Sequence, residues 1–167
     1  MVLLASQILL LGSIAYQDFK SRAVSWMLLP VLLLLAVFSV MDSIQFAAIE
    51  SLKSFTFLLL QFVLVYSYFV IKFKTFKFQF VDGLLGKGDI LFLLAIIPFF
   101  TFKSYVIYYS LSMVFALIAH VIAQLVNNFL GKGKLKLIPL LGWIGLFYIG
   151  VFVLEYYGVV PKIKLGF

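Results

Sequence analysis

Apolar residues in this chain come in long blocks instead of alternating with polar ones. The blocks are Met1–Tyr16, Val24–Met41, Phe55–Ile71, Ile90–Phe102, Tyr105–Val126 and Ile138–Tyr157. About 20 apolar residues in a helix cross the roughly 30 Å of bilayer hydrocarbon. A helix also satisfies its own backbone groups, which hydrocarbon demands. The pattern therefore predicts an all-α polytopic membrane protein, a bundle of about six transmembrane helices in one domain covering residues 1–167. The fourth block is the shortest, and Leu84 and Leu85 extend it upstream. Pro30 and Pro98 fall inside the second and fourth blocks, where neighbouring helices can accommodate a kink. Phe46–Lys53 is amphipathic and is expected on the membrane surface before the third helix. One segment departs from the block pattern. In Lys72–Val81, Phe76, Phe78 and Phe80 alternate with Lys77 and Gln79. That period of two predicts an interfacial strand or hairpin arm, with Phe toward lipid and Lys toward phosphates. Its exposed edge would suit addition of an extended peptide strand.

Composition supports lipid as the solvent. Hydrophobic residues make up 65% of the 167 and charged residues 11%, with a mean hydropathy of +1.21. Soluble domains are about half apolar and about a quarter charged. A soluble enzyme, a disordered chain and a nucleic-acid-binding module are excluded on that ground. The first block has no basic residue before Lys20, whereas a cleaved signal peptide carries positive charge ahead of its apolar region. It reads as a first membrane helix. Cysteine is absent, so no disulfide framework, thiolate nucleophile or Cys-based zinc site is expected.

The net charge of +7 rests on 13 Lys+Arg against 6 Asp+Glu. Six spans place nine of the basic residues on one side, including Lys20, Arg22, Lys72, Lys87 and Lys132, and four (Lys53, Lys103, Lys162, Lys164) on the other. The positive-inside rule puts the first side in the cytoplasm and both termini outside, in a plasma or inner membrane.

The six carboxylates divide along the same line. Asp42, Glu50 and Glu155 fall toward the outer side and read as solvated loop or interface charges. Asp18, Asp82 and Asp89 fall on the cytoplasmic side. Asp18 follows the first block in Tyr16-Gln17-Asp18-Phe19-Lys20-Ser21-Arg22. Asp89 opens the fourth in Gly86-Lys87-Gly88-Asp89. Taken singly, Asp18 reads as an interface cap and Asp89 as a helix-start carboxylate favoured by the macrodipole. Two glycines at spacing two allow a positive φ or close approach of another element. The 14 residues from Asp89 to Phe102 span only about 21 Å as a helix, so either the bilayer thins or Asp89 sits below the headgroups. An ionisable residue at that depth is a functional candidate. If the two ends meet, the carboxylates share a proton. One then acts as base on a water, and the other, protonated, polarises a carbonyl. Asp82 reads as a solvated loop charge or turn residue before Gly83, with a third active-site carboxylate as the alternative. His120 and Gln124, four apart, read as an interhelical hydrogen-bonding pair or as part of a proton relay. No cofactor and no metal site is expected. The Gly-Lys strings lack the phosphate-loop spacing, and one His makes a poor metal site. Trp26 and Trp143 suit the aromatic belt at the membrane edges.

With these residues in hand, the chain resembles the type IV prepilin peptidases, a family that includes the preflagellin peptidases. The resemblance lies in six spans, in Asp18 with the alternating basic residues Lys20 and Arg22, in Gly86-x-Gly88-Asp89, and in Lys136-Leu137-Ile138-Pro139 near the last span. It covers essentially the whole chain. It implies a membrane aspartic endopeptidase with Asp18 and Asp89 as the catalytic pair. Gly86, Gly88, Lys20 and Arg22 would support the pair or the substrate. Pilin-like precursors would be the partners, cleaved on the cytoplasmic side ahead of their hydrophobic segment, with the basic leader meeting the carboxylates and nearby carbonyls. The chain departs from the family at Ser25 and Trp26, where many members have Pro and Asn, and at Leu91, where many have Lys. It also lacks the cysteine-bearing insert linked to N-methylation, so cleavage without methylation is expected. Two other readings stand beside it: a small proton-coupled transporter using Asp89 and His120, and an inactive family member that scaffolds membrane assembly.

Overall fold

A computed structural model of the chain describes residues 2–21, 24–73, 86–129 and 139–159. Their regular structure is helical. Among the described residues six α-helices follow one another: α1 (Val2–Ser21), α2 (Leu28–Ser39), α3 (Ile44–Phe73), α4 (Lys87–Ala95), α5 (Phe102–Phe129) and α6 (Leu140–Tyr156). Two 3-10 turns, Met41–Ser43 and Ile97–Phe99, link α2 to α3 and α4 to α5. Among the described residues, α1, α3 and α5 are long and apolar enough to cross a membrane. The helices α2, α4 and α6, of 12, 9 and 17 residues, are apolar but shorter.

Several boundaries differ from the sequence expectation. Helix α1 runs past Tyr16 to Ser21, so Asp18 lies inside its last turns instead of after it. Helix α3 begins at Ile44, eleven residues before the apolar block at Phe55, in place of a surface stretch and loop. The polar residues there do not break the helix, because their side chains find partners along it. Ser54 Oγ donates to the Glu50 carbonyl at 3.0 Å, and Thr56 Oγ1 to that of Leu52 at 2.9 Å. Ser6, Ser13 and Ser110 bond back to their own helices in the same way. Such back-bonding lets hydroxyls sit in an apolar helix without orphaned donors.

Neither proline kinks a helix. Pro30 is the third residue of α2, in the first turn, where a missing N–H breaks no intrahelical bond. Pro98 falls after α4 has ended at Ala95, inside the 3-10 turn. Continuing α4 through it would set the ring against the carbonyl of residue 94, and the chain changes to the tighter turn. Together α4 and this turn reach about 20 Å, short of a full crossing.

The core lies where α1, α2, α4 and α6 meet, with the α4–α5 turn packed against α2 and α3. Leu11, Ile14, Leu32, Ala36, Phe92 and Ile144 are buried there. At the level of the turn, Phe99, Phe100, Tyr148 and Phe152 form a ring cluster, with Phe100–Tyr148 centroids 5.4 Å apart and Phe99–Phe152 5.7 Å apart. Helices α1 and α6 pack most extensively on each other. A β-carbon at Gly145 would lie 3.4 Å from the Ala15 β-carbon and 3.5 Å from the Leu11 carbonyl oxygen. That absence of side-chain bulk lets the two helices approach.

Glu50 corrects its sequence reading. It is not a solvated loop charge but a buried residue, only 8% exposed, on α3. Its carboxylate accepts from Lys53 Nζ at 2.6 Å and from the Phe102 backbone N–H, the first of α5, at 2.8 Å. It thus caps a second helix, where a negative charge is favoured. Thr101 Oγ1 accepts the Ser104 N–H of the same helix start at 3.3 Å. Asp42, in the Met41–Ser43 turn, is exposed as expected.

Candidate active site

Asp18 stands in the last turns of α1, only 7% exposed. Its Oδ2 accepts the backbone N–H of Gly142 at 2.7 Å. Gly142 is the third residue of α6, one of the first-turn positions whose N–H has no partner within the helix. The Asp18 carboxylate therefore completes the N-terminus of α6 from another helix. A short bond to an ionised acceptor is among the stronger hydrogen bonds.

Asp89 is the third residue of α4 and is half-buried. Its Oδ2 accepts the Gly86 N–H at 3.1 Å, while its own N–H donates to the Gly86 carbonyl at 3.0 Å. This reciprocal pairing is the one an acidic residue makes three positions into a helix. It turns the carboxylate back to the start of α4.

The two carboxylates stand at one end of the helix set. Asp18 binds Gly142, whose neighbour Leu141 faces Gly88: a β-carbon at Gly88 would meet Leu141 Cδ1 at 3.5 Å. Gly88 in turn precedes Asp89. The junction thus joins the end of α1 to the starts of α4 and α6.

The glycines act differently from the sequence expectation. Gly86 has φ −64° and ψ 144°, an extended backbone open to any residue, and Gly158 alone among the described glycines has a positive φ. What Gly86 provides is space, since a β-carbon there would lie 3.2 Å from Asp89 Oδ2. Gly88 makes only ordinary contact. The most demanding glycine is one that sequence reasoning passed over. A β-carbon at Gly142 would come within 2.8 Å of the Phe19 ring. That ring stands edge-on to Trp143 with centroids 4.9 Å apart. Trp143 is accordingly a packing residue of the site. The spacing of Gly142 and Gly145 in the last apolar block was the available signal.

The other expected residues contribute less directly. The Lys20 ammonium lies over the Tyr16 ring, 5.6 Å from its centroid, on its own helix. Leu91, two residues after Asp89, is 48% exposed. Ser25 donates its N–H to Gln17 Oε1 at 2.9 Å, fastening the α1–α2 connection, and Trp26 is exposed. His120 Nδ1 has no hydrogen-bond partner among the described residues, so the expected pairing does not run through that atom. Arg22, Asp82, the alternating segment around Phe76–Phe80 and Lys136–Ile138 lie outside the described residues. Among the described residues, no group of three or more His, Asp or Glu side chains is arranged to hold a metal.

No protein-family model, curated protein or solved structure matches the chain.

Proposed function

We propose that this chain is a membrane aspartic endopeptidase of the prepilin-peptidase type, with Asp18 and Asp89 as its catalytic pair. The observation that carries the reading is the placement of two carboxylates at one end of an apolar helix set, each fixed by a backbone N–H. On this reading all six helices belong to the membrane domain. The carboxylate end faces the cytoplasm, both termini lie outside, and the membrane is the plasma or inner membrane, as the distribution of basic residues favours. The substrate is a pilin-like precursor whose hydrophobic segment lies in the same bilayer.

The chemistry follows from a shared proton. One carboxylate removes a proton from water as its oxygen attacks the scissile carbonyl carbon. The other, protonated, donates to the carbonyl oxygen. The tetrahedral intermediate collapses with proton transfer to the leaving amine, and the carboxylates return to one shared proton.

Cleavage of a pilin-like precursor in membranes, followed by gel shift, tests the reading. The parent is expected to cleave, and Asp18→Asn and Asp89→Asn are each expected to abolish cleavage at normal expression. Cleavage that survives either substitution refutes the aspartic mechanism. A parent that cleaves no pilin-like precursor favours the scaffold reading.

A further inference from the structure

Gly142 meets the site in two ways at once. Its N–H holds Asp18 Oδ2 at 2.7 Å, and its missing side chain leaves the space that the Phe19 ring occupies. Phe19 is the next residue after Asp18, and Trp143 the next after Gly142. The two aromatic rings therefore clasp the bond between their neighbours, edge to face at 4.9 Å. Three Phe19 ring atoms would fall 2.8, 2.9 and 3.1 Å from a β-carbon at position 142. One turn along α6, Gly145 keeps α1 close at Ala15 and Leu11. The α1–α6 register is thus set by two bare positions, and the carboxylate is seated at the first of them.

Helix propensity makes the opposite demand. Alanine is the better helix former in a helix interior, glycine the worst residue after proline. A glycine at the third position of α6 is unfavourable for the helix itself and is explained by what it admits. Phe19 is 40% exposed, and a methyl group at 142 requires its ring to shift. A shifted ring gives up its contact with Trp143 beside the Asp18–Gly142 bond.

We propose that Gly142 is a positioning residue, which seats Asp18 by admitting the Phe19–Trp143 clasp over the start of α6. The inference rests on the peptidase reading for its catalytic consequence but not for its structural one, and two measurements separate them. The first is precursor cleavage by Gly142→Ala, Phe19→Ala and the double variant. A misplacement of about 1 Å costs up to about 100-fold in rate, and relieving the contact at 142 needs somewhat less. Gly142→Ala is expected to lower kcat by roughly tenfold or more on that scale with KM held. Trimming the ring in the double variant is expected to restore kcat to the level of Phe19→Ala alone. An unchanged kcat in Gly142→Ala, or a loss that trimming does not relieve, overturns the proposal.

The second measurement needs no activity. Thermal unfolding in detergent of Asp18→Asn, Gly142→Ala and both together forms a double-mutant cycle. If Gly142 seats Asp18, the Asn substitution lowers Tm in the parent and has little further effect in the Ala background. Independent, additive shifts overturn the positioning role. A parent that cleaves no precursor while the cycle shows coupling refutes the peptidase reading and leaves this one standing.

Discussion

Replacing Asp18 separates what its charge does for the fold from what its acceptor oxygen does. The carboxylate is 7% exposed and accepts the Gly142 N–H at 2.7 Å. Hydrogen bonds to charged groups contribute about 1.5–3 kcal/mol net, and neutral ones about 0.5–1.5. Asp18→Ala removes the acceptor and leaves an N–H of α6 without it. We expect a loss of about 2 kcal/mol. Asp18→Asn keeps an amide oxygen for the same N–H and gives up only the charge, for about 1 kcal/mol. In a chain of this size each kcal/mol moves Tm by about 2–4 °C. The order is therefore parent, then Asn lower by about 2–4 °C, then Ala lower by about 4–8 °C. Unfolding in lipid nanodiscs followed by tryptophan fluorescence measures it, with Trp143 beside the site as a reporter. An Ala variant that melts with the parent, or above it, would refute the assignment of Asp18 as the cap of α6. Both variants are expected to lack cleavage, so the Asn protein is folded and inactive.

Gly88→Ala is expected to leave Tm unchanged or slightly raised, because its β-carbon makes ordinary contact with Leu141 and alanine favours the helix by up to about 1 kcal/mol; a clear fall in circular-dichroism Tm contradicts this. Gly86→Ala brings a β-carbon to 3.2 Å from Asp89 Oδ2, and should lower kcat while leaving Tm nearly unaffected, as steady-state cleavage will show. Glu50→Ala should lower Tm well beyond Asp42→Ala, since only Glu50 caps a second helix; equal shifts in parallel melts would sink that distinction. Phe100→Ala opens the ring cluster and should cost about 3–5 kcal/mol, read as a large fall in Tm or a failure to accumulate in membranes.

The helical class was legible, and so was the placement of Asp18 and Asp89 at helix ends, because each rests on a local signal. Long apolar blocks require helices in lipid, and an Asp at the end of one block and the start of another marks one side by counting. The glycines before Asp89 were legible as a motif but not in their physics. A sequence states that Gly86 lacks a side chain, not that the space lodges a carboxylate. The burial of Glu50 is not legible in hydropathy, because the third apolar block begins only at Phe55. The eleven residues before it are helical through back-bonding and capping, which depend on partners rather than on hydropathy. Gly142 was hidden for a deeper reason. Its part in the site is played by a backbone N–H, which every residue except proline possesses. Only the approach of α1 singles it out.

That approach also has a consequence in time. Asp18 and Gly142 are separated by 124 positions along the chain. At synthesis rates of about 5–20 residues per second, the donor is made roughly 6–25 s after the acceptor. During that interval the acid at the end of α1 waits on the emerging helices without its final partner. Assembly of the carboxylate pair is consequently a late event, tied to arrival of the last helix. A nascent chain interrupted before α6 carries both aspartates but not the seat that fixes the first of them.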